Sequence, residues 1–285
     1  MIGDPKIRQL LVDTIAVNAL RQVLEVGRAA GVVVVPVKGV VLCRWLYPSV
    51  GDRPYRDLDL LVERAALPPL LAAVKARGWT IRHVSIEMGE LEFEVDRLAV
   101  EVHAEFGRRD LSGLSNHEVI ARASPDGDTF PFEILRVDDI DHFLLLVANV
   151  IKKSYTYANP HQPADLERLL VRLEPRWDAL VDRARAASFA TALHGVAVWM
   201  ASERQSAPFV RFLRVVPPGQ RRLVPALLRL YRHLDRPHAS RLESPSGLLG
   251  LVLATMTVDD WPRRRRALER LVRRGLYRRL GRNPG

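Results

Sequence analysis

The sequence contains a single cysteine in 285 residues, and this scarcity excludes several classes of protein. Cys43 alone cannot form an intramolecular disulfide or a cysteine-based zinc site. The longest apolar runs, such as "FLLLVANVI" (143–151), are too short to span a bilayer, and the first twenty residues lack the layout of a signal peptide. We therefore expect a cytoplasmic protein without a transmembrane segment.

Net charge is nearly absent from the body of the chain and is concentrated at its end. The formal net charge is +10, but residues 261–285 hold ten arginines and one glutamate, which leaves +1 for the rest. The apolar spacing of this tail predicts a helix with a basic face. That face is either solvated on a docked helix, or it binds an acidic partner, a nucleic acid or a membrane surface.

The apolar pattern changes character near residue 136. Before that point, helical patterns alternate with β-branched and alternating segments, which predicts an α/β domain over residues 1–136. Beyond it only helical patterns occur, which predicts an α-helical domain over residues 137–285 with the basic tail at its end. Within the first domain we expect a loop at 123–128 and a last strand in "FPFEIL" (130–135).

Two aspartates interrupt a predicted strand, "DLDLLV" (57–62). Alternate residues of a strand point to the same face, so Asp57 and Asp59 project together while their leucine neighbours face the core. Paired carboxylates of this kind suit Mg²⁺ or Mn²⁺. The alternative interpretation is that the two aspartates are solvated acids at the end of a strand and bind no metal. The pattern therefore makes this strand the first candidate for a metal site.

A second strand pattern, "VEVHAEF" (100–106), places Glu101 and His103 on one face. If this strand lies beside the Asp strand, Glu101 supplies a third carboxylate to the same site. Glu105 continues that face and is a rival for the role. His103 is expected to orient a carboxylate through a hydrogen bond. Three acids on adjacent strands are able to hold divalent cations beside a triphosphate.

The dipeptide Lys38-Gly39 stands where a strand pattern meets a short helical pattern. Backbone N–H groups at such a junction, with a glycine that permits close approach, suit a phosphate group. Arg53 and Arg56 flank the Asp strand, and each is expected to contact phosphate, the acceptor or only solvent. Lys152 and Lys153 end an apolar helix, where basic residues also complement the helix dipole.

Taken in order, "VKG", "LYP", "RPYRDLDLLV", "GW" and "VEVHAEF" resemble a bacterial group of nucleotidyltransferases in the DNA polymerase β-type superfamily. The similarity spans residues 35 to about 106. In this group Lys-Gly replaces the Gly-Ser turn that is usual in the wider superfamily. Asp57, Asp59 and Glu101 occupy the positions of the family's metal ligands.

The resemblance implies an α+β fold in which a mixed sheet with flanking helices is followed by an α-helical domain. It implies Mg²⁺ or Mn²⁺ at the three acids, and a nucleoside triphosphate, expected to be ATP, as substrate. The residues expected to contact the nucleotide are Lys38, Gly39, Arg53, Lys152 and Lys153. Strands in one domain and helices in the other suggest a cleft between the two, and Asp165, in the helix that follows, would orient substrate if the second domain lines that cleft.

Two functions follow from these expectations. The first is an enzyme that transfers a nucleotidyl or phosphoryl group to a hydroxyl on a peptide or natural-product intermediate, another small molecule or an RNA end. The second is a non-catalytic module of the same fold that binds a nucleotide or an acidic partner of the tail. The presence of all three acids favours the enzyme.

Overall fold

The computed structural model describes residues 5–105, 113–152 and 161–216, with a few positions between 259 and 269. The chain forms two compact units. The first comprises Met1–Phe106 with Leu114–Phe143, and the second comprises Gly107–Gly113 with Leu144–Gly285. The sequence-based division after residue 136 stays a prediction. Within the described ranges, no helix is long and apolar enough to cross a membrane.

The first unit is built on a mixed sheet of five strands, in the order β1-β2-β5-β4-β3. Strands β2 and β5 are parallel, and every other neighbouring pair is antiparallel. This arrangement confirms the expected α+β class. The strands are β1 (Val35–Val37), β2 (Asp57–Leu61), β3 (Thr80–Ser85), β4 (Glu90–Val95) and β5 (Leu98–His103).

Helices and a small hairpin complete this unit. The elements are α1 (Pro5–Ala29), α2 (Gly39–Trp45), α3 (Leu67–Ala76), α4 (Asn116–Ala121), β6 (Ser124–Asp126) and β7 (Ile134–Arg136).

The hairpin corrects one prediction. The loop expected at residues 123–128 contains β6, which pairs antiparallel with β7. The sequence Ser-Pro-Asp has turn chemistry, yet pairing with β7 overrides this local preference. The Asp126 carboxylate accepts the backbone N–H groups of Asp128 and Thr129, and this closes the turn that follows β6.

The second unit is helical. It continues α5 (Asp139–Lys152), which begins in the first unit, and no strand occurs among its described residues. Its other helices are α6 (Gln162–Arg172), α7 (Trp177–Ala186), α8 (Ala190–Glu203) and α9 (Ala207–Phe212).

One face of the sheet is the core of the first unit. Leu58, Leu60, Val100 and Val102 are buried there in one apolar cluster with residues of α1 and α3. Burying a side chain of this size contributes about 2 kcal/mol. Because the alternate residues of each strand must face the other way, this burial fixes which face presents the acids.

A tight turn sets the register of β4 against β5. Asp96 and Arg97 both have positive φ, at 51° and 65°, as a two-residue hairpin turn requires. The Asp96 carboxylate also accepts hydrogen bonds from Asn18 and Gln22 of α1. This turn pairs Val95 with Leu98 and so determines which β4 residue lies beside each residue of β5.

The ends of the two parallel strands are tied together by Asn116. Its amide nitrogen donates to the carbonyl oxygens of Val62 and His103, at 2.8 Å each, and the side chain is buried. The Val62 N–H donates to the His103 carbonyl as well. Asn116 therefore holds the point at which β2 and β5 leave the sheet.

We predict that Asn116→Ala lowers the free energy of unfolding by about 1–3 kcal/mol, because two buried carbonyls lose a donor. Urea denaturation measures this change. The control is His117→Ala at the next position, where an exposed imidazole pairs with Glu63. That change should stay within about 0.5 kcal/mol. Equal losses in the two variants would contradict the role of Asn116.

Candidate active site

The acids predicted from the two strand patterns meet on one face of the sheet. Strand β2 pairs in parallel with β5, and the register places Asp59 opposite Glu101. Asp57 and His103 lie two residues away on the same strands and share that face. The condition for a common acidic site, that the two strands be neighbours, is therefore met.

Three of these side chains form a compact donor set. Ligand atoms of Asp59, Glu101 and His103 all lie within 4.8 Å of one another. The His103 Nε2 atom is 3.0 Å from the Asp59 carboxylate and 3.7 Å from that of Glu101. Asp57 is not part of this set, although its charge acts on Glu101 and on Lys38. A ligand role for Asp57 stays a prediction.

Lys38 supplies the counter-charge. It lies between β1 and α2, and its ammonium group donates to the Asp59 carboxylate. Burial alone would lower the pKa of Lys38, but Asp59, Glu101 and Asp57 raise it above its ordinary value. Burial would likewise raise the pKa of Asp59, but Lys38 and His103 lower it well below its ordinary value. Lysine and aspartate are therefore both charged at neutral pH.

The pKa of Glu101 reflects both burial and repulsion from the neighbouring acids. Burial raises the pKa of its carboxyl group, and the neighbouring Asp59 and Asp57 raise it further. Two carboxylates and an imidazole within ligand distance of a common point fit a divalent cation such as Mg²⁺ or Mn²⁺. A cation there would relieve the repulsion that raises this pKa.

Gly39 begins α2, and its lack of a side chain is a steric requirement. A Cβ atom at this position would lie 2.7 Å from the Tyr55 Cβ and 3.2 Å from an Arg53 guanidinium nitrogen. The Tyr55 hydroxyl donates to Asp13 at 2.8 Å, which fixes the ring. Arg53 is buried, so it is not a solvated loop arginine, whereas Arg56 is exposed. Phosphate contacts of Arg53 and Gly39 stay predictions.

Glu105, the rival for the third acidic position, has a different partner. Its carboxylate pairs with Arg64, which also donates to the carbonyl oxygens of Ile86 and Glu87. Arg64 thereby ties the end of β5 to the turn between β3 and β4. Glu105 lies outside the compact donor set, and Glu101 is the better candidate.

The candidates in the second unit are less fully described. Lys152 is the last residue of α5, but its side chain and the whole of Lys153 lie outside the described residues. Asp165 lies in the first turn of α6 and is buried. The roles of these three residues at the nucleotide stay predictions.

Comparison with protein families decides the class of the protein. A family model described as "Uncharacterised nucleotidyltransferase" matches residues 10–204. The chain belongs to this family. It is accordingly a transferase enzyme, as the strand patterns and the resemblance implied.

Comparison with individual proteins adds little to this assignment. Among solved structures, the nucleotidyltransferase is similar to a tRNA-processing enzyme at 17% identity and a TM-score of 0.28, covering 88% of this chain and 77% of the other. It is also similar to a tRNA nucleotidyltransferase complexed with a primer tRNA and an incoming ATP analog. That match has 15% identity and a TM-score of 0.27, and covers 87% and 78% of the two chains. No curated protein matches the sequence.

Sequence reasoning missed one residue of this nucleotidyltransferase, the buried His142 in the first turns of α5. Its Nε2 atom accepts the backbone N–H of Lys38 at 3.1 Å. Burial lowers the pKa of the imidazole to about 3, together with the nearby Arg53, Arg136 and Lys38 and against the opposing effect of Asp59. The sequence shows a histidine before an apolar run, and nothing in that pattern connects it with Lys38.

We predict that His142 makes the folded protein less stable in acid. The unfolded chain binds a proton on this imidazole below its ordinary pKa of 6.5, whereas the folded chain does so only near 3. Stability is therefore lost as the pH falls through this window, by about 2 kcal/mol between about pH 7.5 and about pH 5.

Urea unfolding of the wild type and of His142→Phe across that range tests the prediction. The phenylalanine variant should lose this part of the pH dependence. His117→Phe, at an exposed histidine, is the control and should retain it. Parallel curves for the wild type and His142→Phe would show that the imidazole does not titrate as inferred.

Proposed function

We propose that this nucleotidyltransferase moves a nucleotidyl group from a nucleoside triphosphate to a hydroxyl group of an acceptor. The observation that carries the proposal is the cluster of Asp59, Glu101 and His103, with the Lys38 ammonium beside it at the strand-to-helix junction. The acceptor hydroxyl oxygen forms a bond to the α-phosphorus. The bond between the α-phosphorus and the oxygen that bridges it to the β-phosphorus breaks, and pyrophosphate leaves. The hydroxyl proton passes to solvent or to a nearby base.

The residues of the site have separate tasks in this proposal. Asp59 and Glu101, with His103 or Asp57, hold Mg²⁺ or Mn²⁺. The cation, when bound, stabilises negative charge on the phosphates and on the attacking oxygen. His103 orients the Asp59 carboxylate through their 3.0 Å contact. Lys38 contributes a positive charge at the phosphates.

The strand-to-helix turn also suits a phosphate group. Gly39 opens α2 without a side chain, and Arg53 and Tyr55 pack against it. Backbone N–H groups at the start of this helix and the buried Arg53 guanidinium favour an anion nearby. ATP is the expected donor, and Arg53, Lys152 and Lys153 are its proposed further contacts. The acceptor is proposed to be a peptide, a small molecule or an RNA end.

Phosphoryl transfer to the same acceptors and non-catalytic binding by the same fold are the alternatives. Membership of a nucleotidyltransferase family favours nucleotidyl transfer. The retained donor set favours catalysis. A cytoplasmic location, and an acidic partner for the arginine-rich tail, stay predictions.

Mass spectrometry of acceptors incubated with each triphosphate and Mg²⁺ tests the proposal directly. We predict an added mass equal to a nucleoside monophosphate residue, and its loss by a factor on the order of 10² or more in Asp59→Asn. The control Glu105→Gln, at the carboxylate paired with Arg64, should stay close to the wild type. An added mass of one phosphate would show that the enzyme transfers a phosphoryl group and not a nucleotidyl group. Full activity of Asp59→Asn would contradict the proposed metal site.

Lys38→Met should change two affinities in opposite directions. The ammonium competes with a divalent cation for Asp59, so Mn²⁺ alone should bind more tightly, by about tenfold. Mn²⁺ with ATP should bind more weakly than to the wild type, because the phosphates lose a positive charge. Titration calorimetry of each ligand measures both effects. A fall in both affinities would mean that Lys38 supports the metal site and does not compete for it.

A further inference from the structure

The backbone of Lys38 has an unfavourable conformation. Its φ of 55° and ψ of −123° lie in a region that glycine adopts easily and that other residues rarely adopt. Such a conformation is strained, and it persists only where surrounding contacts impose it. The chain must turn here from β1 into α2, and the turn directs the Lys38 side chain toward Asp59.

Two hydrogen bonds fix this residue from opposite sides of its backbone. Its carbonyl oxygen accepts the Leu42 N–H at 2.7 Å, which closes the first turn of α2. Its N–H donates to the Nε2 atom of His142, 104 residues away in sequence. The first bond is an ordinary helical bond that the α2 segment supplies itself. The second depends entirely on where α5 places an imidazole.

The imidazole of His142 is itself held firmly. The side chain has no exposed surface, and its ring stacks on Trp45 at 6.1 Å between centroids and 21° between planes. The adjacent residue, Asp141, is equally buried and forms two hydrogen bonds with the Arg122 guanidinium. The first turns of α5 are thereby anchored, and the stack on Trp45 holds the ring beside Lys38.

A guanidinium group supports the other partner of the stack. Arg136 lies 4.7 Å from the centre of the Trp45 ring and pairs with Asp126 and Asp139. The same arginine, with Arg53 and Lys38, disfavours a positive charge on His142. The imidazole therefore remains neutral with its proton on Nδ1, and Nε2 remains an acceptor.

We propose that His142 is a positioning residue of this nucleotidyltransferase: it holds the Lys38 backbone in the conformation that aims the ammonium group at Asp59 and at the phosphates. The inference rests on the proposed function for the role of Lys38. Its structural part, the hydrogen bond from the Lys38 N–H to His142, is independent of the proposed function. A residue that supports folding alone would affect stability and would have no special relation to the lysine side chain.

A double-mutant cycle between His142 and Lys38 distinguishes a positioning role of His142 from a role in folding alone. His142→Phe keeps an aromatic ring for the stack on Trp45 but removes the acceptor, and Lys38→Met removes only the ammonium. Affinity is measured by calorimetry for whichever of the four common ribonucleoside triphosphates binds the wild type best with Mn²⁺. We expect His142→Phe to weaken this affinity about tenfold in the wild type and less than about twofold in Lys38→Met, since coupled neighbours behave non-additively.

Hydrogen exchange at the Lys38 amide provides a readout that needs no ligand. The amide should exchange at least about tenfold faster in His142→Phe, because local opening is no longer opposed by the buried acceptor. The Val62 amide, which donates to His103 in the same sheet, should be unchanged. His142→Gln offers an amide oxygen in place of the ring nitrogen and should restore part of the protection and of the affinity. It also serves if His142→Phe folds poorly.

The matched control is His194→Phe, at another histidine whose pKa burial lowers. This change should show no coupling with Lys38→Met. Equal losses of affinity in both backgrounds, or an unchanged exchange rate of the Lys38 amide, would overturn the positioning role.

The proposed function and the positioning role of His142 fail on different results. If Asp59→Asn and Lys38→Met bind Mn²⁺ and nucleotide like the wild type, or if no triphosphate binds the wild type, the proposed function fails while the exchange result still decides whether His142 holds the turn.

Discussion

The parallel pairing of β2 with β5 is the constraint on which the site depends. It places Asp59 opposite Glu101 and, two pairs further on, brings His103 into reach of both carboxylates. A shift of one residue would turn every one of these side chains into the core and bring leucines and valines to the surface. The buried apolar face therefore enforces the register, and the register assembles the donor set. Asn116 secures the same pairing where the strands end.

This arrangement concentrates negative charge in a partly buried place, which is unfavourable unless cations compensate it. Lys38 provides one positive charge and lowers the pKa of Asp59, whereas the pKa of Glu101 is raised by burial first and by the neighbouring acids second. One ammonium group thus lies beside a cluster that holds two carboxylates. Such a cluster suits a divalent cation, which would offset the remaining negative charge.

The sequence predicted those features that repeat along the chain or depend on neighbours in it. Alternation in the two strands predicted that Asp57 and Asp59, and Glu101 and His103, share faces, and the change of pattern at Lys38-Gly39 predicted a strand-to-helix junction there. The loop expected at 123–128 was wrong, because β6 is defined by its pairing with β7 and not by its own residues. Contacts across long separations leave no local signal, and the bond between Lys38 and His142 is one of these.

The choice of residue at position 38 shows how local strain and function are reconciled. A glycine there would adopt the observed φ and ψ without penalty, so conformation alone does not favour lysine. The lysine is accommodated because its N–H meets the buried His142 and its ammonium meets Asp59. The first of these contacts would be lost if the imidazole were protonated, since its Nε2 atom could no longer accept the Lys38 N–H. A neutral imidazole at His142 is thus a condition for this contact, and burial favours that neutral form. The next residue, Gly39, is constrained as well, because no larger side chain can replace it without displacing Tyr55.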